Sequence, residues 1–175
     1  MKKTFFSLIC ILLLLPAKAE DGSYNSFRRK QLKALNVCAT EGVSGHFAGI
    51  SGDALIVAGG CNFPDTPAAK GGAKVFYNNI FVLENPLSEK SEWKCSGTLP
   101  APSAYGVSLT TPEGVICIVG TDGHESAASV LLLCYKNGET EVKTLTPLPI
   151  PLDNMAGAYG DGYIYIAGGQ SNGES

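Results

Sequence analysis

Four side chains of the sequence combine chemistry suited to ligand binding with positions at the ends of predicted strands. An imidazole titrates near neutral pH, and amide, carboxylate and phenol groups exchange hydrogen bonds with hydroxyl-rich molecules. We therefore predict that they bind a polar small molecule, and we assign a catalytic role to none of them. The four are His46, Asn62, Asp65 and Tyr105.

Structural roles stay open for the same residues. A histidine at the start of an inner strand is often a packed, hydrogen-bonded residue, and polar loop residues are often only solvated.

His46 and His124 lie near no pair of cysteines, and no two cysteines have the C-x-x-C spacing. The sequence therefore predicts no metal site.

The elements that must position these residues repeat along the chain. Three segments each contain a small-residue strand, a tight polar turn and an apolar strand that ends in glycine: Ala48–Gly60, Gly106–Thr121 and Ala156–Gly169. Aligning Gly59, Gly120 and Gly168 gives spacings of 61 and 48 residues. Both are close to the roughly 50 residues of a kelch-type β-propeller blade.

The later part of each repeat predicts two more strands. Phe76 to Glu84 and Ser129 to Tyr135 are third strands, and the segments from Trp93 to Pro100 and from Glu141 to Pro149 are fourth strands with a shared Leu-Pro ending. Four short antiparallel strands per repeat predict an all-β, kelch-type β-propeller. Residues 43–175 would form about two and a half four-stranded blades of it.

Propellers typically close with about 4–8 blades. We therefore expect this chain to be an N-terminal fragment, which needs the missing blades or self-association to close the propeller. In a four-stranded meander, the loop before strand one and the loop between strands two and three lie on one rim, where propeller ligands commonly bind. The predicted rim residues are Ser44, His46, Cys61 to Asp65, Ser103 to Tyr105, Asp122 to Glu125, Asp153 to Met155 and Gln170 to Asn172.

Residues 1–19 are interpreted as a secretory signal peptide. A cationic start precedes the apolar run from Phe5 to Pro16, and Ala17-Lys18-Ala19 has the A-x-A pattern of a cleavage site. We expect a periplasmic or secreted protein that begins at Glu20 and has no membrane span after cleavage. Residues 20–42 form an N-terminal segment that could supply a blade-closing strand.

The composition excludes two classes of chain. Hydrophobic residues make up 45% and charged residues 17% of the 175 residues, which is typical of a folded domain rather than a disordered one. The formal net charge of -3 does not provide the basic surface that nucleic-acid binding requires.

Export would permit disulfides. The mature chain would retain an odd number of cysteines: Cys38, Cys61, Cys95, Cys117 and Cys134. Cys117 and Cys134 fall on neighbouring strands of one predicted blade, where a bridge would depend on the strand register. We expect both to be reduced core residues.

Several segments resemble the sialic acid mutarotases, the kelch-repeat N-acetylneuraminate epimerases, and specifically their cyclically permuted branch. The matching segments are Gly42–Ser51, Ala54–Asp65, the insertion Pro67–Lys74, and Ala104–Leu109. The resemblance extends over about Leu35 to Gly169. It implies a six-bladed propeller that interconverts the α and β anomers of N-acetylneuraminate outside the cytoplasm, with this small sugar acid as its partner and without a cofactor.

The family's acid/base glutamate and substrate arginine lie in a Gly-Glu…Arg segment that has no match in this sequence. The only arginines are Arg28 and Arg29, and Ser103 stands where the family tends to carry arginine. Three functions stay open: an exported mutarotase present only in part, a non-catalytic kelch module that binds a glycan or a protein, and an inactive truncated product. We expect the chain alone to accelerate anomerisation little.

Overall fold

The computed structural model describes residues 30–35 and 42–174, and all of its strands belong to the compact unit Leu32–Ser175. The predicted signal peptide and most of the predicted N-terminal segment lie outside the described residues, so both stay predictions. Residues 32–35 carry no strand. In the described part of the chain, no helix has the length and apolar character needed to cross a membrane.

The described residues fold into short antiparallel strands with one short 3-10 helix, Ala68–Lys70. The strands are β1 (Phe47–Ser51), β2 (Ala54–Ala58), β3 (Cys61–Asn62), β4 (Val75–Phe76), β5 (Asn79–Glu84), β6 (Trp93–Thr98), β7 (Val107–Thr111), β8 (Gly114–Ile118), β9 (Val130–Lys136), β10 (Glu139–Leu145), β11 (Asp153–Gly160) and β12 (Tyr163–Gln170). Two four-stranded sheets have the orders β1-β2-β5-β6 and β7-β8-β9-β10, and β11-β12 and β3-β4 form hairpins.

The predicted third strand of the first repeat is divided in two. The structure places Phe76 in β4, opposite Cys61, and begins β5 at Asn79. The break is a one-residue shift of register: Cys61 pairs with Phe76, whereas Ala58 pairs with Ile80. At the shift, the carbonyls of Tyr77 and Asn78 accept the N–H groups of Ser103 and Leu99. The β3-β4 pairing closes the base of the loop that carries the family-like insertion Pro67–Lys74.

The two four-stranded sheets pack face to face around the main core. Apolar residues alternate along the strands, so that Phe47, Ile56 and Val82 of the first sheet meet Val115 and Leu133 of the second. The second sheet buries its other face against the β11-β12 hairpin through Val107, Leu109, Ile118, Val130 and Met155. Sheets stacked in chain order, with β1, β7 and β11 adjacent, are the arrangement of propeller blades.

Equivalent bridges define the true register of the repeat. Ser44 pairs with Cys61, Ala104 with Thr121, and Asp153 with Gln170, so the equivalent positions are 60 and 49 residues apart. The predicted spacings of 61 and 48 were therefore wrong by one residue. Gly60, Gly120 and Gly169 precede the three bridge partners and occupy equivalent places, whereas the sequence alignment pairs Gly120 with Gly59 and Gly168.

The strand register separates Cys117 from Cys134. Cys117 lies opposite Leu131 on β9, and residues two apart share a face of a strand, so Cys134 points to the opposite side of the sheet. The thiol of Cys134 instead donates to the Glu113 carbonyl at 3.0 Å. Both are free thiols, and burial raises the pKa of Cys117 to about 12.

Aromatic residues are exposed on the β11-β12 hairpin. Tyr163 is 68% exposed and Tyr165 57%, and Tyr159 and Ile164 lie beside them. The second sheet, in contrast, packs on both faces, against the first sheet and against this hairpin. Contiguous apolar exposure of this kind favours association.

Candidate functional site

A cleft of about 350 Å³ opens where the loops of the three repeats meet. It contains loop residues from the predicted rim together with residues that precede β5. Its lining residues are Lys74, Phe76, Tyr105, Thr121, Gly123, His124, Glu125, Ser126, Asp153, Asn154, Gln170, Asn172 and Gly173.

The backbone connects the three repeats directly behind this cleft. Gly45, Tyr105 and Asn154 each follow a bridge residue, and all three have positive φ, at 62°, 61° and 54°. The N–H of Tyr105 donates to the Gly45 carbonyl at 2.8 Å, and the N–H of Asn154 donates to the Tyr105 carbonyl at 2.8 Å. A left-handed backbone conformation is uncommon for a bulky residue such as Tyr105 and is found most often at functional sites. The two hydrogen bonds hold Tyr105 in this conformation.

The Tyr105 side chain enters the cleft and is fixed on several sides. Its phenol oxygen accepts hydrogen bonds from the Lys74 ammonium at 3.0 Å and from the buried Cys61 thiol at 3.2 Å. Its ring meets Phe76 edge to face, with 6.4 Å between centroids. A Cβ atom added to Gly45 would lie 2.7 Å from the ring, so the glycine makes room for it.

Lys74 comes from the end of the insertion and reaches over two aromatic rings. Its Nζ lies 5.0 Å from the centroid of Tyr105 and 5.6 Å from that of Phe63. Such cation–π contacts hold the ammonium in place. The hydrogen bond to Tyr105 raises the pKa of Lys74, so the side chain is cationic at neutral pH.

Asp153 joins the loops on the other side of the cleft. The residue is 4% exposed, and its carboxylate accepts hydrogen bonds from the Ser126 hydroxyl at 2.5 Å, the Asn154 amide at 2.5 Å and the Gln170 amide at 3.0 Å. Ser126 and Asn172 bond reciprocally: each backbone N–H donates to the other's side-chain oxygen at 2.8 Å. A buried charge with three donors is satisfied, and this one fixes the cleft wall.

The loop from Asp122 to Ser126 forms a local turn at the mouth of the cleft. The Asp122 carboxylate accepts the backbone N–H groups of His124 at 2.8 Å and Glu125 at 3.0 Å. The hydrogen bonds from Glu125 and then from His124 lower the pKa of Asp122. Glu125 lines both this cleft and a neighbouring pocket of about 270 Å³ beside Leu99 and Pro102.

Of the four predicted binding residues, Tyr105 lines the cleft. The amide of Asn62 bonds within its own repeat, to the Tyr77 hydroxyl at 2.7 Å and the Gly42 carbonyl at 3.3 Å. His46 Nδ1 donates to the Val43 carbonyl at 3.0 Å, and Asp65 is exposed away from the cleft lining. A binding role for these three residues stays a prediction.

Sequence reasoning missed Lys74 as a site residue. The available signal was its place at the end of the insertion Pro67–Lys74, which resembles the family. Ser103, predicted on the rim, is 1% exposed and its backbone bonds to Tyr77 and Gly60. Its hydroxyl is the buried side-chain oxygen without a partner among the described residues.

The side chains that line the cleft are not grouped as the ligands of a metal ion. In residues 30–35 and 42–174, no three His, Cys, Asp or Glu side chains gather where they could hold a metal ion. The polar cleft therefore offers hydrogen-bond donors and acceptors from protein groups: the Lys74 ammonium, the Tyr105 phenol, the Glu125 carboxylate and the amides of Asn154 and Gln170.

Stacked antiparallel sheets with a polar cleft at one rim define an all-β protein of the β-propeller class. The family model described as N-acetylneuraminate epimerase matches residues 18–143, and the chain belongs to this family.

Individual relatives agree with that assignment. The N-acetylneuraminate epimerase of Yersinia pestis (strain Pestoides F) is 33% identical over 115 residues, 60% of this chain and 28% of the relative. That of Vibrio cholerae is 34% identical over 107 residues, 58% and 28% of the two chains. That of Brucella suis is 31% identical over 132 residues, 70% and 33%. The chain thus spans about a third or less of the length of these relatives.

A solved structure supports the fold. The "Structure of YjhT" superimposes with a TM-score of 0.54 at 32% sequence identity, over 61% of this chain and 32% of that chain. The predicted β-propeller class is thereby confirmed.

Proposed function

We propose that this chain forms part of the sugar site of an N-acetylneuraminate epimerase, which interconverts the α and β anomers of N-acetylneuraminate. The observation that carries the proposal is the cleft in which Tyr105, Lys74 and Asp153 come together from three repeats of a chain in this family. Hydroxyl-rich sugars need convergent donors and acceptors, and this cleft provides both.

The chemistry requires two proton transfers. Opening the hemiketal ring takes a base near the anomeric hydroxyl and an acid near the ring oxygen. The cleft contains a phenol, Tyr105, and a carboxylate, Glu125, which are groups able to donate and accept protons. The family's Gly-Glu…Arg segment has no match in this chain, and we propose that the remainder of a longer protein supplies it.

The test follows the α anomer that a sialidase releases, by NMR, with and without protein. We expect the 175-residue chain to accelerate anomerisation little and a longer protein with further sheets to accelerate it strongly. Strong acceleration by the chain alone would place the catalytic groups among the described loops. A longer protein without any acceleration would contradict the epimerase proposal.

A non-catalytic binding module is the second candidate. The observation in its favour is that the described residues carry no arginine, the side chain best suited to grip a carboxylate by a two-pronged bond. Such a module would bind N-acetylneuraminate or another glycan without changing the anomerisation rate. Ligand-observed NMR beside the kinetic assay separates the two functions.

Export and assembly are part of the proposal. We infer that residues 1–19 direct export to the periplasm or the medium, and that mass spectrometry of the native product would show a chain starting at Glu20. The exposed tyrosines of the β11-β12 hairpin support a requirement for further blades or self-association. Sedimentation of the purified chain tests this: a stable monomer that binds no hydrophobic dye would contradict it.

A further inference from the structure

Lys74 is a cation that faces the cleft without a carboxylate partner. The ion pairs among the described residues are Lys33–Glu92, Lys94–Glu84 and Lys143–Glu141, and none involves Lys74. It is also the only lysine or arginine among the residues that line the cleft. One donor of its ammonium reaches Tyr105, and an ammonium has three donors. Two donors therefore stay available to a ligand.

Tyr105 is arranged to donate its proton into the cleft. Its phenol oxygen already accepts from the Lys74 ammonium and from the Cys61 thiol. A phenol oxygen with two donors has little accepting capacity left, and its remaining hydrogen bond is the one its own proton makes. The single thiol hydrogen of Cys61 is nearer to this oxygen, at 3.2 Å between heavy atoms, than to its other acceptor, the Ser44 carbonyl at 3.6 Å, so the Tyr105 proton is left for a ligand.

The pair is held before any ligand arrives. The rings of Tyr105 and Phe63 fix the ammonium, and the backbone bonds to Gly45 and from Asn154 fix Tyr105. Donors that are already positioned lose less conformational freedom on binding.

The acidic groups of the cleft do not neutralise this cation. Asp153 is buried, and three donors occupy its oxygens. Glu125 lies at the boundary with the second pocket, and it forms no ion pair with Lys74 within the described chain. An ammonium and a phenol hydroxyl whose nitrogen and oxygen lie 3.0 Å apart offer two neighbouring donors, which suit the two oxygens of a carboxylate.

We propose that Lys74 and Tyr105 form a carboxylate subsite, which takes the acid group of a 2-oxo acid sugar. The proposal rests on the proposed function in one respect: N-acetylneuraminate supplies the carboxylate. The subsite would allow the described residues to bind an anion although they contain no arginine. It also orients the ligand: the acid group lies toward the insertion, and the polyhydroxyl part lies toward Asn154 and Gln170.

The experiment compares three ligands on the full chain by NMR titration: N-acetylneuraminate, its methyl ester and pyruvate. We expect the free acid to bind better than the ester. Lys74→Met should weaken the acid roughly 3- to 10-fold, because a charge-assisted bond at a solvent-exposed site is partly screened. The ester should bind both proteins alike. Tyr105→Phe should lose part of the same preference, and Lys74→Arg should retain it.

Lys70→Met is the matched control, since Lys70 is an exposed lysine of the same insertion that does not line the cleft. It should bind all three ligands as the unchanged chain does, and melting temperatures should confirm that each variant folds. Equal binding of acid and ester, or full binding of the acid by Lys74→Met, would overturn the subsite.

The pyruvate arm separates the subsite from the proposed function. Pyruvate that shifts the amide signals of Gly123 and Ser126, and fails to do so in Lys74→Met, would support the subsite even if no sugar bound, in which case the sugar proposal alone would fail. Sugar binding without any preference for the acid would leave the sugar cleft standing and contradict the subsite. Binding of none of the three would contradict both.

Discussion

The ring of Tyr105 lies directly against Gly45, whose carbonyl also accepts the backbone N–H of Tyr105 at 2.8 Å. One residue of the first repeat thus positions both the backbone and the side chain of its equivalent in the second. Because Tyr105 in turn accepts the N–H of Asn154, the three repeats are joined in a row at the cleft.

Gly45→Ala should therefore lower the free energy of unfolding for two reasons. An L-residue in the left-handed region loses roughly 1–2 kcal/mol, and the new Cβ would lie 2.7 Å from the Tyr105 ring. Gly52→Ala is the matched control, because Gly52 has the same φ of 62° but nothing within 4 Å of the added atom. Urea unfolding should show a larger loss for Gly45→Ala, together with weaker sugar binding. Equal losses in the two variants would contradict the packing role of Gly45.

Much of the fold can be predicted from the sequence because the strand signals are local. Alternating apolar residues and glycine turns predicted β1, β2, β7 and β8 closely, and the shared Leu-Pro endings proved equivalent: the N–H groups of Leu99 and Leu148 donate to Asn78 and Ala128. The one-residue error arose at paired glycines. The first and third repeats have two glycines and the second has Val119-Gly120, and only bridge partners show which glycine is equivalent.

The cleft could be predicted only in part, because its composition depends on contacts distant in sequence. Tyr105 follows from the position of its loop on the rim. Lys74 reaches it across 31 residues from an insertion whose path no strand pattern fixes. Asn62 belongs to the predicted rim, but its amide oxygen accepts from the Tyr77 hydroxyl and the residue does not line the cleft.

The contact between Glu84 and Tyr135 should make stability depend on pH at both extremes. Hydrogen bonds from Lys94 at 2.7 Å and Tyr135 at 2.6 Å lower the pKa of Glu84, so this stabilisation is present above the ordinary value of 4.5 and is lost as pH falls through the lower folded pKa. The same contact with Glu84 raises the pKa of Tyr135 to about 12, so stabilisation present below 10.0 is lost as pH rises toward 12.

Tyr135→Phe tests the acidic and the alkaline dependence, since it removes the hydrogen bond to Glu84 and keeps the aromatic ring. Unfolding free energies measured from about pH 3 to pH 7, and again above pH 9, should change less with pH in this variant than in the unchanged chain. Tyr163→Phe serves as the control, because Tyr163 is 68% exposed. Identical pH profiles for Tyr135→Phe and the unchanged chain would show that the contact contributes nothing.

Cys117 should resist chemical modification while the protein is folded. Burial raises its pKa to about 12, and the reactive species of a cysteine is the thiolate. Alkylation at pH 8 followed by peptide mass spectrometry should find Cys117 unmodified in the native chain and modified in denaturant. Cys134 should appear as a separate thiol in the same spectra. A Cys117–Cys134 bridge would show that the register between β8 and β9 differs from the one described here.

Asp153 should be necessary for the shape of the cleft because it fixes three donors at once. Asp153→Ala leaves the Ser126, Asn154 and Gln170 donors without their acceptor, and a buried group that loses its partner costs about 1–3 kcal/mol. Asp153→Asn keeps one oxygen and should lose less. Asp65→Asn is the control for stability: Asp65 is an exposed carboxylate outside the cleft, so the free energy of unfolding should not change. A loss of sugar affinity in Asp65→Asn would support the predicted binding role of Asp65. Denaturant unfolding and sugar titration rank the three variants by their stability and by their affinity for the sugar. If Asp153→Ala were as stable as Asp65→Asn and bound sugar as well as the unchanged chain does, the Asp153 network would not organise this site.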